Sequence, residues 1–210
     1  IIILVKAKQH IESELIARSM LEGLCLLIWA SQDPEARASL WRSFVWILDY
    51  QNIQDREKQG QQVDQNQKDL IMQEVKALGS QFYTKKAKRA FKEGKELPTN
   101  PYHKHWHMKT TKDIFSEVKA EWLKKIYDDS SHLSHWTPYG IGKTIIRKNE
   151  KVQFSPHTFN SSATSLAGGF QSLLESLNLL NNYFKLEHED NLNEMQKNYL
   201  QTFTSIKKNI

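Results

Sequence analysis

The chain has 210 residues, with 29 Lys and Arg against 24 Asp and Glu, so its formal net charge is +5 when histidine is neutral. Hydrophobic residues make up 39%, charged residues 25% and aromatic residues 10%, a composition that excludes a disordered or fibrous chain and is typical of one globular domain. Its eight Gly and five Pro are about half the usual share of these two residues, which favours long helices with few turns.

Cysteine content and apolar runs bear on the location of the protein. The single cysteine, Cys25, excludes an internal disulfide, so no oxidising compartment is implied. The apolar start at 1–5 lacks the basic start and cleavage site of a signal peptide. The uncharged apolar run at 23–30 is far shorter than the roughly 20 residues that span a membrane. We expect a cytoplasmic protein without membrane contact, and a chain that begins part-way along a helix, because no cap precedes Ile1.

Apolar residues recur at helical spacing along most of the chain, which predicts an all-α fold. The stretch 15–30 is apolar nearly all round, as in a central buried helix. Asp33 and Pro34 predict the N-cap and first turn of the next helix, and Asp190 predicts the cap of the last. We expect one single-domain bundle of about six helices, at 1–29, 34–59, 67–91 with a weak point at Gly79, 110–135, 158–184 and 190–206, plus a small hairpin at 144–154.

Positive charge is concentrated in one segment, because residues 85–109 carry eight basic against two acidic side chains, a net +6. Aromatic residues are interleaved with these cations, and this combination suits phosphate neutralisation and base stacking. The candidate nucleic-acid-binding residues are Lys85, Lys86, Lys88 and Arg89, and the interleaved aromatics are Phe82, Tyr83, Phe91, Tyr102 and Trp106. The alternative interpretation is an ordinary solvated, lysine-rich helix.

One face of the first helix contains two charged residues. Residues 11, 15, 18, 22, 25 and 29 share this face, which places Arg18 and Glu22 inside an otherwise apolar stripe. Buried charges need partners or a hydrated cavity. The functional interpretation is a pocket in which Arg18 binds an anion and Glu22 acts as a base or ligand. The alternative is a buried network that fixes helix packing.

Tyr127, Ser131 and His135 follow one another at intervals of four, so they stack on one side of the fourth helix. An imidazole near a hydroxyl is the beginning of a nucleophile and base pair, but the sequence locates neither an orienting group nor an oxyanion site. In the alternative interpretation, His135 stabilises the end of the helix and Ser131 bonds its own backbone.

His103, His105 and His107 alternate, so an extended backbone would place them on one side, as metal ligands can be. Three closely spaced histidines seldom bind a metal without a carboxylate and supporting hydrogen-bond partners, and Trp106 between them resembles a packing anchor. We therefore treat them as weak metal candidates and expect no metal and no cofactor. Phosphate loops with lysine, paired cysteine ligands, HExxH and GxSxG are all absent from the sequence.

Four short motifs together resemble the bacterial domain of unknown function 5677: Arg-Ser-Met-Leu-Glu at 18–22, Asp-Pro-Glu at 33–35, His-Trp-His at 105–107, and Tyr127 with Ser131 and His135. The resemblance covers about residues 11–184. It implies an all-helical cytosolic domain in which the helix of Arg18 and Glu22 packs on the helix of Ser131 and His135. It implies no established reaction.

Two functions remain open. The first is an enzyme or ligand-binding domain with a pocket between the first and fourth helices, where Arg18, Glu22, Ser131 and His135 are the catalytic candidates and Trp106, Tyr127 and His105 bind the ligand. The second is a non-catalytic interaction module of a defence system that binds nucleic acid or a protein partner through residues 85–109. A third interpretation is that the polar clusters only specify packing. A homo-oligomer is compatible with each.

Overall fold

The computed structural model describes residues 1–7, 9–120, 123–124, 126–128, 145–148, 151–154 and 159–208. These residues form two compact units, 1–32 together with 111–210, and 33–110. The helices are α1 (Ile2–Lys6), α2 (His10–Ser31), α3 (Pro34–Lys58), α4 (Gln65–Leu78), a 3-10 turn (Gly79–Phe82), α5 (Lys85–Lys92), α6 (Thr111–Glu117), α7 (Phe159–Phe184) and α8 (Glu189–Lys208). The all-α prediction is confirmed, and the single-domain assignment stays a prediction. No described helix has the length and apolar character needed to cross a membrane.

The first unit is built around α2, whose buried residues confirm the prediction of a central helix. Leu21, Leu24, Cys25 and Trp29 are each at most 3% exposed. The predicted helix over 1–29 is nevertheless two helices, because α1 ends at Lys6 and Gln9 has a non-helical φ of −89° and ψ of 70°. No residue of α1 is buried, so packing does not oppose the break.

Helix α7 packs along α2 through small side chains. Ser165 and Ser172 are buried, and a Cβ on Gly168 would lie 3.8 Å from Leu21 Cδ1. Small residues allow two helix backbones to approach closely. The Ser172 hydroxyl donates to the Gly168 carbonyl at 2.7 Å, which satisfies the polar group inside this contact.

Helix α8 follows α7 after a short turn that Asn181 organises. The Asn181 amide donates to Glu189 at 2.9 Å, and its carbonyl oxygen accepts from the backbone N–H of His188 at 2.9 Å. Phe170 on α7 stacks on Tyr199 of α8 with ring centroids 4.4 Å apart. Asp190 lies within the first turn of α8 instead of capping it, because the helix begins at Glu189.

The predicted hairpin is confirmed as an antiparallel pair of strands, β1 (Ile145–Lys148) and β2 (Lys151–Phe154). Ile145 pairs with Phe154, and Lys148 pairs with Lys151.

The second unit has a core formed by α3, α4, the 3-10 turn and α5. Phe44 meets Phe82 edge-on at 5.1 Å, and Tyr50 meets Tyr102 at 6.0 Å. Pro34 begins α3 as predicted, but the Asp33 side chain makes no capping hydrogen bond, whereas Asp64 accepts one from the Gln67 N–H and caps α4. The buried residues of this core are Phe44, Ile47, Ile53, Ile71, Val75, Phe82, Tyr83, Ala87 and Tyr102.

Two predicted helices are shorter than expected. The helix predicted over 67–91 breaks at Gly79, its predicted weak point, and resumes as α5 after Thr84. The helix predicted over 110–135 is interrupted after Glu117, because Lys119 adopts a left-handed φ of 54° that a helix cannot contain. Helical residues reappear at 123–124 and 126–128, and the predicted end at His135 lies outside the described residues.

A backbone connection closes the segment that carries α5. Tyr83 and Tyr102 form an isolated antiparallel bridge. Beside it, the Thr84 N–H donates to the Pro101 carbonyl at 2.8 Å, and the His103 N–H donates to the Phe82 carbonyl at 2.9 Å. The two ends of the segment therefore meet in the core of the second unit.

Candidate functional site

The two charged residues on the apolar face of α2, Arg18 and Glu22, lie in the first unit. Arg18 and Glu22 are half-buried, and the next two residues on that face, Cys25 and Trp29, are 1% and 3% exposed. The predicted stripe is thus present, with a guanidinium and a carboxylate next to buried apolar side chains. Burial of this degree makes the partners of both charges the decisive feature of the site.

Arg18 contacts Tyr127 in two ways. Its Nη2 donates to the tyrosine hydroxyl at 2.8 Å, and its Cζ lies 4.7 Å from the centroid of the same ring. The ring is also held by Phe115, which is buried and lies 5.1 Å away between centroids. A charged donor and a cation over an aromatic face both stabilise the guanidinium in a fixed position. The sequence predicted both residues as site residues, and the fold brings them together.

The segment 111–117 supplies partners for other residues of α2. The Thr111 hydroxyl donates to Glu22 Oε1 at 3.4 Å, and the Trp29 indole N–H donates to Glu117 Oε2 at 2.8 Å. Neither Thr111 nor Glu117 is among the residues that the sequence predicted for the site. These pairs lie 89 and 88 residues apart, and no local motif links them.

Cys25 is not a nucleophile at neutral pH. Burial, and then the negative charge of Glu22, raises the pKa of the Cys25 thiol to about 12. The thiol therefore stays protonated and serves as a small apolar side chain. The chemistry that this face offers is instead a positioned guanidinium with a carboxylate one turn away.

The remaining members of the predicted pocket divide into two groups. Ser131 and His135 lie outside the described residues. His105 and Trp106 belong to the second unit, whereas Arg18, Glu22 and Tyr127 belong to the first. The predicted convergence of all seven residues stays a prediction.

Helix α5 presents its basic residues to solvent. Thr84 caps it by accepting from the Ala87 N–H at 3.3 Å, and Ala87 is fully buried, which orients the helix. The exposed residues Lys85, Lys88, Arg89 and Lys92 are spaced i, i+3, i+4 and i+7, so they form one face, while exposed Lys86 lies beside it. We call Lys85, Lys88, Arg89 and Lys92 the basic face.

Acidic partners are few around the basic face. Glu93 bonds Arg89 at 2.9 Å and Lys95 at 2.7 Å, and these hydrogen bonds, that of Lys95 first, lower its pKa. Among the described residues, Lys85, Lys88 and Lys92 make no ion pair. Most of the positive charge of this helix is therefore available to an external anion.

The aromatic residues near the basic face have two different environments. Phe82, Tyr83 and Tyr102 are at most 9% exposed and belong to the core, so the expectation that they interleave with the cations as stacking residues is wrong. Burial, followed by the nearby Tyr83 and Tyr50, raises the pKa of Tyr102 to about 12. Phe91 differs, because it is 61% exposed and meets the ring of Tyr83 edge-on, with 5.8 Å between the centroids.

The three alternating histidines do not share one environment. His105 is exposed and stacks on His107 at 5.2 Å, whereas His107 is 7% exposed and its Nδ1 accepts from the Lys109 N–H at 3.3 Å. Burial, with Lys88 as a second cause, lowers the pKa of His103. Within the described residues, no group of three or more His, Cys, Asp or Glu side chains is arranged to hold a metal ion.

Comparisons with known proteins place the chain in a family. No curated protein and no solved structure matches it. A family model matches residues 1–152, which include α1 to α6 and both strands apart from the last two residues of β2. The match begins and ends earlier than the resemblance expected over 11–184, so α7 and α8 lie beyond it. The chain belongs to the family of unknown function DUF5677.

Proposed function

We propose that this protein binds single-stranded nucleic acid through α5. The observation that carries the proposal is the basic face, in which four exposed cations follow one another along two turns of a helix that is anchored by buried Ala87. Phosphates along a strand are neutralised by such a row of Lys and Arg side chains. The cytoplasmic, bacterial setting and the defence-associated role expected from the sequence are part of this proposal.

Exposed Phe91 favours a single strand over a duplex. It follows Lys88 by three residues and precedes Lys92, so its ring borders the basic face. Unpaired bases can stack on such a ring, and each base contributes roughly 1–3 kcal/mol, whereas a duplex keeps its bases inside. Phosphate contacts and one stacking residue give affinity without strong sequence preference.

Salt-dependent binding of a labelled single-stranded oligonucleotide tests the proposal. Four phosphate contacts predict a slope of log K against log salt of about −3. This slope corresponds to a loss of affinity of roughly 50-fold between ~50 and ~200 mM salt. The double variant Lys88→Gln, Lys92→Gln should halve this slope. A matched control, Lys58→Gln with Lys76→Gln, removes two exposed cations of the same unit that lie outside α5 and should keep the slope.

Three results would contradict the proposal. Failure of the wild-type protein to bind the oligonucleotide at low salt would exclude it. Equal loss in the two double variants would mean that overall charge, and not α5, attracts the strand. Tighter binding to a duplex than to a single strand, together with an unchanged affinity of Phe91→Ala, would mean that no base stacks on Phe91.

A second function is favoured by the contact between Arg18 and Tyr127. The Arg18 guanidinium is held by a hydroxyl and an aromatic face and lies one helical turn from Glu22. Such a guanidinium suits a small ligand that carries a phosphate or a carboxylate. This site corresponds to the pocket expected between the first and fourth predicted helices. Calorimetric titration with inorganic phosphate tests it. Arg18→Gln should abolish binding, and Lys112→Gln, which removes an exposed cation of the same unit, should not. Absence of phosphate binding, or equal loss in both variants, would contradict this function.

A further inference from the structure

Helix α3 has an exposed apolar stripe on the side opposite the core. Phe44 and Ile47 are buried in the second unit, at 5% and 1% exposure. Trp41, Val45 and Leu48 are 58%, 45% and 49% exposed, and their spacing of i, i+4 and i+7 aligns them on one face. An aligned set that includes tryptophan is unusual on a surface that meets only water.

Two opposite charges flank this stripe on one side. Arg42 and Asp49 each follow a stripe residue, Trp41 and Leu48, by one position, so they are also seven residues apart. Neither makes a hydrogen bond or ion pair with any residue in the part of the chain that the structure describes. A positive and a negative charge therefore stand at nearly equal distances on either side of Val45.

This arrangement is complementary to itself under a two-fold rotation. If two α3 helices pack antiparallel with the axis near Val45, residues that share one side of the stripe lie opposite each other when their distances before and after Val45 differ by no more than one position. Arg42 then meets Asp49 of the second copy, and Trp41 packs beside Leu48 of the second copy. Both relations occur twice, and Val45 meets its own equivalent at the centre.

We propose that α3 is the interface of a homodimer, formed by antiparallel packing of Trp41, Val45 and Leu48 with two reciprocal Arg42–Asp49 ion pairs. A second copy is favoured over another partner because the charges match when the surface meets itself. The pairs also specify direction, since parallel packing would place like charges together.

The size of the stripe determines the strength of the dimer. Three side chains exposed by about half, at ~200 Å² each, offer roughly 300 Å² of apolar surface per copy, below the ~800 Å² per partner of a standard stable interface. We therefore expect a weak dimer that forms at high micromolar concentration, and not an obligate one.

Sedimentation velocity over a range of concentrations tests the interface. Wild-type protein should move from monomer to dimer as its concentration rises. Val45→Glu places two carboxylates on the axis and should raise the dissociation constant more than about tenfold. Leu70→Glu is the matched control, because Leu70 is a 51% exposed apolar residue of α4 in the same unit and should leave the equilibrium unchanged.

A charge exchange tests the ion pairs separately from the apolar stripe. Arg42→Glu and Asp49→Arg should each weaken the dimer by about fivefold to tenfold, since each places like charges opposite one another. The double variant restores opposite charges in reversed order and should return to within about threefold of wild type. Circular dichroism confirms that each variant is folded, and because these side chains are surface residues the variants test contact and not the core.

A covalent trap tests the position of the axis. Val45→Cys should form a disulfide-linked dimer under mild oxidation, because only a residue at the axis meets its own equivalent, whereas Leu70→Cys should remain monomeric. The native Cys25 is buried and does not interfere. A wild-type monomer at every concentration, a dimer that Val45→Glu leaves intact, or a double charge exchange that stays as weak as the single variants would overturn the proposal.

Discussion

Acidification should destabilise the protein through His107, a buried histidine of the second unit. His107 is 7% exposed, stacks on His105 and meets Trp106 edge-on at 5.7 Å between centroids. Burial, followed by the charge of His105, lowers its pKa from 6.5 to about 4. Folding therefore keeps the imidazole neutral over a pH range in which the unfolded chain would bind a proton.

The sign and size of the effect follow from this difference in pKa. Between pH 6.5 and about 4, the unfolded chain holds a proton on His107 that the folded chain does not. The contribution of neutral His107 to the free energy of unfolding is therefore fully present above pH 6.5. It decreases as the pH falls toward 4 and changes no further below that value. The full difference is about 3 kcal/mol, of which about 2 kcal/mol is lost between pH 7 and ~4.5.

Urea unfolding at the two pH values, on wild type and on His107→Gln, measures this contribution. The variant has no titrating group at this position, so its loss of stability on acidification should be smaller than that of wild type by about 2 kcal/mol. His188→Gln, at an exposed histidine, should behave as wild type. Equal pH dependence in wild type and His107→Gln would refute the argument, because it would mean that the folded chain admits the proton as readily as the unfolded one.

Two further predictions concern α2 and one the second core. Tyr127→Phe removes the acceptor of the Arg18 hydrogen bond but keeps the ring, and should lower the free energy of unfolding by about 1 kcal/mol; Tyr127→Leu should lower it further by about 1 kcal/mol, and wild-type stability in both would exclude the contact. Gly23→Ala should raise the melting temperature by about 2–4 °C, because no described atom beyond the adjacent residues and the backbone of the same helix turn lies within 4 Å of the new Cβ, and a helix interior favours alanine; a fall would show a clash. Phe82→Ala empties a fully buried site and should cost about 3–5 kcal/mol in urea unfolding, and a loss under about 1 kcal/mol would contradict the core assignment.

Local signals accounted for the features that the sequence predicted correctly. The apolar periodicity of α2 marked its buried face, Pro34 marked the beginning of α3, and β-branched residues marked both strands. Each of these depends on residues within a few positions of one another. Short-range physical chemistry is enough to determine them.

The features that were missed depend on distant contacts or on rare backbone conformations. Lys119 interrupts a predicted helix with a positive φ, and a lysine in the sequence does not predict this backbone conformation. The aromatic pattern near α5 could not distinguish Tyr102, which is in the core, from Phe91, which is exposed. Arg18 and Tyr127 are 109 residues apart, so each was identified by its type and position, but only the fold could pair them.

The backbone bridge between Tyr83 and Tyr102 has a consequence for the energetics of any partner that meets α5. Many basic segments are unstructured when free and lose conformational entropy when they bind, which reduces their net affinity. Here both ends of the segment that carries α5 are held at the core by the backbone hydrogen bonds of Thr84 and His103. The spacing of the four cations is set before a ligand arrives, so α5 is preorganised and little of the attraction is spent on ordering the chain.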